Sequence, residues 1–227
     1  MSRYPRPVLE GVPLHIIQRG NNRNPCFFST SDYQVYLSLL AQSASAAGCR
    51  IHAYVLMTNH VHILASPEAV TSPSKLMKSL GERYTQYANR RYGRNGTLWQ
   101  GRFRSCLVDN ENYFLVCQRY IELNPVRAGM VSHPANYEWS SYRANAHGHP
   151  GTIVQRHDIY NGLGNDDIER QASYRALFDE AIPDALLEQV RHATNRNSAF
   201  GTKSFVDRTG VALGRELIRG RAGRRAM

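Results

Sequence analysis

Two histidines, a tyrosine and an asparagine are the residues whose spacing points to chemistry. The run Leu56-Met57-Thr58-Asn59-His60-Val61-His62-Ile63-Leu64 sets two imidazoles either side of one apolar residue, in a segment that reads as a buried strand. Strand side chains alternate faces, so His60 and His62 point one way while Val61 and Ile63 point the other. Two imidazoles on one face of a stiff strand make half of a metal site. Further along, Tyr120 and Asn124 stand four apart in a helical pattern, which places a nucleophile and an oxygen ligand on one helix face. A phenol with its ordinary pKa of about 10 needs help to attack near neutral pH. A divalent cation held by His60, His62 and the Asn124 carboxamide would give that help by polarising a phosphate. Imidazole with oxygen suits Mn²⁺, tolerates Mg²⁺ and leaves zinc open. The chemistry implied is metal-assisted cleavage of a phosphodiester by tyrosine.

The bland alternatives are specific. Tyr120 is one of 13 tyrosines, and a core tyrosine would fit the same helix. An H-x-H pair in a strand is common without function. His147-Gly148-His149 has the same spacing but sits in a Gly/Pro loop with no strand to orient it, so it reads as structural.

These residues need a scaffold, and the periodicities supply one. Strands are expected over Pro13–Arg19, Arg50–Met57, His60–Ser66 and Phe103–Val108. Helices are expected over Asp32–Ala47, with Ser31 as cap, over Ser74–Tyr92, and over Asn110–Leu123, ending before Pro125. The turn at Thr58-Asn59 is short enough to require an antiparallel hairpin. The order β-α-β-β-α-β followed by a helix is the split βαβ, ferredoxin-like arrangement: an α+β fold with helices on one face of an antiparallel sheet. On such a sheet His60 and His62 would face the open side. After about residue 148 glycines and prolines break the pattern. Weaker helical stretches follow near Asp166–Phe178, Pro183–Arg191 and Lys203–Leu213, so the chain divides into a domain over 1–147 and a helical C-terminal extension over 148–227.

Charge narrows the partners. The chain of 227 residues has a formal net charge of +10, a field that draws polyanions, nucleic acid first among them. The excess is uneven: Arg83, Arg90, Arg91, Arg94, Arg102 and Arg104 crowd one stretch, and Arg215, Arg219, Arg221, Arg224 and Arg225 crowd the basic tail. Cys26, Cys49, Cys106 and Cys117 form no C-x-x-C pair, which fits reduced thiols and argues against a zinc ribbon. Neither a signal-peptide core nor a membrane-length apolar run is present, so a soluble intracellular protein without a membrane partner is expected.

Asn59-His60-Val61-His62-Ile63-Leu64, together with Tyr120-Ile121-Glu122-Leu123-Asn124-Pro125-Val126-Arg127-Ala128-Gly129, resembles the single-tyrosine HUH transposases. Within them it is most similar to the REP-associated tyrosine transposases of bacteria. Arg19-Gly20-Asn21-Asn22-Arg23, Gly96-Thr97-Leu98-Trp99-Gln100-Gly101-Arg102-Phe103 and Trp139-Ser140-Ser141-Tyr142 extend the match to roughly residues 10–145. Thr58 stands where relatives often carry proline, which changes a turn and not a ligand.

The resemblance implies a nuclease and strand transferase acting on single-stranded DNA beside an imperfect hairpin. His60, His62 and Asn124 then hold Mg²⁺ or Mn²⁺, and Tyr120 forms a 5′-phosphotyrosine and frees a 3′-OH. No nucleotide cofactor is needed, in keeping with the absence of a G-x-x-x-x-G-K-[ST] loop. The resemblance also implies a monomer or homodimer in the bacterial cytoplasm, at the nucleoid. Phosphate and base contacts fall to Arg19, Asn22, Arg23, Lys75, Lys78, Arg83, Arg94, Arg102, Arg104 and Arg127, with Trp99 either stacking on a base or anchoring the core. From other classes, a binding module without catalysis and a domesticated nickase remain open at this point, and a small-molecule zinc enzyme lacks a carboxylate near the histidines.

Overall fold

Alternation in the first half of the chain resolves into a single sheet. The computed structural model describes residues 5–109 and 113–217. Strand β1 (Leu14–Arg19) leads through a short turn into α1 (Thr30–Ala47), which crosses to β2 (Cys49–Met57). The turn at Thr58-Asn59 returns the chain as β3 (His60–Pro67), and α2 (Ser72–Tyr92) crosses to β4 (Arg104–Val108). Their order is β2-β3-β1-β4, every neighbouring pair antiparallel, which is the split βαβ topology of the expected α+β class. α1 stops where Gly48 takes a φ of 64°, a left-handed value that glycine adopts without steric cost. Asp32 secures its start by accepting the backbone N–H groups of Phe28 and Ser29.

Strand parity sorts the side chains as the alternation requires. Leu14, Ile16, Val61, Ile63 and Leu107 pack with Tyr36 and Leu40 of α1 and Leu80 and Tyr84 of α2. Both crossover helices therefore lie on one face. Ala53, Val55, Leu64, Cys106 and Val108 point the other way.

That second face is not open, which corrects the expectation from the sequence. α3 (Phe114–Glu122) lays Phe114, Cys117 and Ile121 on it, and α4 (Asn124–Arg127) continues past a break at Leu123. The helix expected from Asn110 is thus seen from Phe114, and Asn110 itself lies outside the described residues. After α4 come α5 (Tyr142–His147), α6 (Asp158–Asn161) and α7 (Asp167–Ala176). They gather Tyr142, Tyr160 and Tyr174 into a small aromatic core.

Residues beyond 148, set apart on the sequence as a helical extension, reach back to the sheet. α8 (Asp184–Arg196) sets Val190 and Ala193 against the second face, beside Cys106 and Val108. The two-residue strand β5 (Ala199–Phe200) then pairs in parallel with Leu107 and Val108. Ser105, Leu107 and Asp109 donate their backbone N–H groups to Asn197 Oδ1, Ser198 O and Phe200 O. α9 (Lys203–Ala212) closes the described chain, and Arg219, Arg221, Arg224 and Arg225 of the basic tail lie outside it. Among the described residues no helix is long and apolar enough to cross a membrane.

Candidate active site

The second sheet face carries its polar residues at one end. β1 alternates His15, Ile17 and Arg19 toward this face, and β3 contributes His60 and His62 in the register Ile17↔His62 and Arg19↔His60. Above them the last turn of α3 supplies Tyr120. Pro125 cannot follow an uninterrupted helix, so the chain breaks at Leu123 and restarts with Asn124 over the same spot. Together with Arg127 of α4 and Arg191, Thr194 and Asn195 of α8, these residues line a cavity of about 330 Å³.

The donor set fits a divalent cation. The Asn124 amide donates Nδ2 to the carbonyls of Tyr120 (3.0 Å) and Ile121 (3.2 Å), which leaves Oδ1 as its outward atom. Asn59 donates Nδ2 to Arg23 O at 2.9 Å, so its Oδ1 accepts from His60 Nδ1 at 2.7 Å and leaves His60 Nε2 bare. His62 commits Nδ1 to His15 Nε2 at 2.7 Å. Burial, and then the charge of Arg19, brings the His60 pKa down to about 4. Burial also holds His62 well below its ordinary value, helped by His15 and His60. Neutral rings are what a metal requires. Among the described residues no group of three or more His, Cys, Asp or Glu is arranged to hold a metal ion, so a cation here would rely on two imidazoles and an amide oxygen.

Tyr120 is 6% exposed, with its ring centroid 5.8 Å from that of His62 and 5.6 Å from that of His15. Burial raises its pKa, and the charges of Arg127 and Arg191 pull it back. The Arg127 guanidinium lies 4.4 Å from the ring centroid and donates Nη2 to Tyr120 O at 2.6 Å, while Arg191 lines the same cavity, where its charge favours the ionised phenol. Arg127 Nη1 is buried without a partner among the described residues. An orphaned cationic N–H beside a phenol is a place for an anionic oxygen.

The expected nucleic-acid contacts divide. Arg19, Arg23, Arg102 and Arg104 line a second cavity of about 580 Å³, which shares Ile17, Arg19 and Asn195 with the first. Arg104 also donates to Asn195 Oδ1 at 2.9 Å. Asn22 is exposed in the turn after β1. Lys75, Lys78 and Arg83 are exposed on α2, across the sheet from the histidines. Lys78 and Arg102 border the 720 Å³ cavity beside α2, and Arg94 lies over the Phe28 ring at 5.5 Å.

Trp99 is a correction. At 5% exposure it packs on Tyr36 and Tyr84 as part of the core, so its ring is not offered to a base. Conversely His15, Arg191 and Thr194 line the site and were not singled out on the sequence. His15 carried a usable signal, since β1 parity aligns it with Arg19. The two α8 residues carried none, because only the tertiary fold brings them there.

Sheet, face and cavity together define a ferredoxin-like protein with a histidine–tyrosine site at one end of its sheet. The chain belongs to the IS200-like transposase family, which it matches over residues 9–124. Its fold is similar to that of the REP-associated tyrosine transposase bound to a REP hairpin, with 20% identity, a TM-score of 0.56, and coverage of 69% of this chain and 93% of that one. It is also similar to a candidate transposase of Deinococcus radiodurans R1, with 20% identity, a TM-score of 0.38, and coverage of 53% of this chain and 96% of that one. No curated protein matches the chain.

Proposed function

We propose that this transposase-family protein cuts and rejoins single-stranded DNA at hairpins, with Tyr120 as the nucleophile. The observation that carries the reading is the convergence of Tyr120, His60, His62 and Asn124 on one cavity that opens beside four arginines. Tyr120 Oη attacks a phosphorus and gives its proton to water. The P–O3′ bond breaks, the 3′ oxygen takes up a proton, and the 5′ phosphate remains on the tyrosine. A free 3′-OH from the same or another strand reverses the step and rejoins the DNA, so no nucleotide cofactor is consumed. A divalent ion, Mn²⁺ or Mg²⁺, held by His60, His62 and Asn124 would supply Lewis-acid charge to the scissile phosphate.

The remaining residues bind and orient. Arg127 offers its unpartnered Nη1 to a phosphate oxygen and holds the Tyr120 ring in place. Arg191 steadies the phenol oxygen. Arg19, Arg23, Arg102 and Arg104 would track the backbone of the strand leaving the cavity, which makes binding fall with salt. The REP hairpin bound by the similar structure supports a hairpin substrate here.

The test is cleavage of end-labelled hairpin DNA with Mn²⁺ or Mg²⁺ by wild type, Tyr120→Phe and His62→Ala, resolved on denaturing gels. A metal-dependent protein–DNA adduct that disappears in Tyr120→Phe is the expected result. Cutting that survives Tyr120→Phe would overturn the mechanism. Salt-sensitive binding without cleavage, on a panel that includes palindromes from the source genome, would favour a binding module.

A further inference from the structure

We propose that His15 and Thr194 are positioning residues that fix which nitrogen of His62 carries the proton, and so keep its Nε2 bare for the cation; this rests on the cleavage reading above. Thr194 sets the direction. Its hydroxyl has one proton, and 2.8 Å away stands the carbonyl of Val190, which can only accept. With that proton committed, Thr194 Oγ1 meets His15 Nδ1 at 2.9 Å as an acceptor, so His15 carries its proton on Nδ1. Cys106 Sγ, 3.3 Å from the same oxygen, is left to donate to its second lone pair.

His15 is 1% exposed and hydrogen-bonds no carboxylate among the described residues, so its ring stays neutral and its Nε2 is bare. That nitrogen lies 2.7 Å from His62 Nδ1, which must therefore donate. His62, also neutral, is left with a bare Nε2. The two rings stack with centroids 5.0 Å apart and planes 11° from parallel, which restrains the orientation as well as the tautomer. An imidazole without such a partner divides between two tautomers, and only one of them binds metal through Nε2.

The relay crosses the boundary of the family match. His15 and His62 are diagonal neighbours on paired strands, within residues 9–124. Thr194 lies on α8, seventy residues beyond the match, one turn after Arg191, which lines the cavity together with Tyr120. In this chain α8 is therefore part of the site and not an attachment to it.

The relay can be read without metal. In ¹⁵N-labelled, metal-free protein, long-range ¹H–¹⁵N NMR correlations report the protonated nitrogen of His62 directly. Wild type should show Nδ1–H, Thr194→Val a mixture, and Thr194→Ser the wild-type pattern again. Mn²⁺ affinity, followed by loss of the free-ion EPR signal, should fall roughly 10- to 100-fold in Thr194→Val and His15→Phe, the effect usual for outer hydrogen bonds to a ligand histidine. Thr194→Ser should stay near wild type, and thermal melts would verify that each variant folds. Wild-type His62 protonated on Nε2, or a folded Thr194→Val with an unaltered tautomer and Mn²⁺ affinity, would overturn the proposal. If wild type neither binds Mn²⁺ nor cuts DNA, the cleavage reading fails, while the NMR result on metal-free protein still decides the relay.

Discussion

Glu122 sits between Tyr120 and Asn124 in sequence, yet it does not line the cavity and is fully buried. Its carboxylate accepts from Ser141 Oγ at 2.6 Å, Asn145 Nδ2 at 2.8 Å and Tyr174 Oη at 2.7 Å. Burial outweighs these three donors and moves the carboxyl from its usual 4.5 to about 7. A folded value above the unfolded one means the native chain holds this proton more tightly. The stabilisation is complete below the unfolded value and is lost as pH rises through about 7. At about 1.4 kcal/mol per pH unit the interval is worth about 3 kcal/mol, most of it lost between about pH 5 and pH 7.5.

Glu122→Gln removes the titration and keeps the shape. Its oxygen can still accept from Ser141 and Asn145, and the Tyr174 hydroxyl can rotate to accept from Nε2. Urea unfolding of both proteins from about pH 5 to pH 8.5 should show the variant gaining about 2–3 kcal/mol on wild type. Taking the difference cancels shared histidines such as His52, whose pKa burial lowers to about 4 and which destabilise the fold as pH drops below their usual 6.5. Parallel curves would refute the reasoning, because they would mean the three donors keep Glu122 ionised at every pH.

Other perturbations test other parts. Arg127→Ala removes a charged hydrogen bond and the cover over the Tyr120 ring, and should slow single-turnover cleavage roughly 10- to 100-fold with the fold intact; a rate within twofold of wild type would exclude the assigned role. Replacing Arg23, Arg102 and Arg104 together by alanine should flatten the slope of log K against log salt for single-stranded DNA by about 2, from about 0.7 per lost phosphate contact. Fluorescence anisotropy across a salt series measures it, and an unchanged slope would place the DNA elsewhere. Asp32→Ala leaves the N–H groups of Phe28 and Ser29 and the hydroxyls of Tyr87 and Tyr92 without their acceptor, and should cost roughly 2–4 kcal/mol in chemical unfolding. A loss below about 0.5 kcal/mol would show that water replaces the carboxylate.

Local periodicity accounts for what was legible in the sequence. Alternation alone separates His60, His62 and Leu64 from Val61, Ile63 and Ala65, and the structure divides them the same way. The four-residue spacing of Tyr120 and Asn124 also brings both to one cavity, although the helix breaks between them at Leu123. What escaped depends on distant parts of the chain. Two residues of β5 are too few to show a period. α8 runs on to Arg196, past the expected end at Arg191, and that extra turn carries Thr194. Trp99 is an aromatic in a basic stretch, and only its packing against Tyr36 and Tyr84 decides between base and core.

The short strand β5 matters most for what it prevents. β4 ends the four-stranded core, and a terminal strand with bare N–H groups is a template for pairing with another molecule. Here Asn197, Ser198 and Phe200 take the outward N–H groups of Ser105, Leu107 and Asp109, so the edge is blunted from within the same chain. A chain cut after residue 147 would lose that guard together with the α8 cover over Cys106 and Val108. It would keep both histidines and Tyr120, lose Arg191 and Thr194 from their cavity, and present an unpaired sheet margin open to self-association.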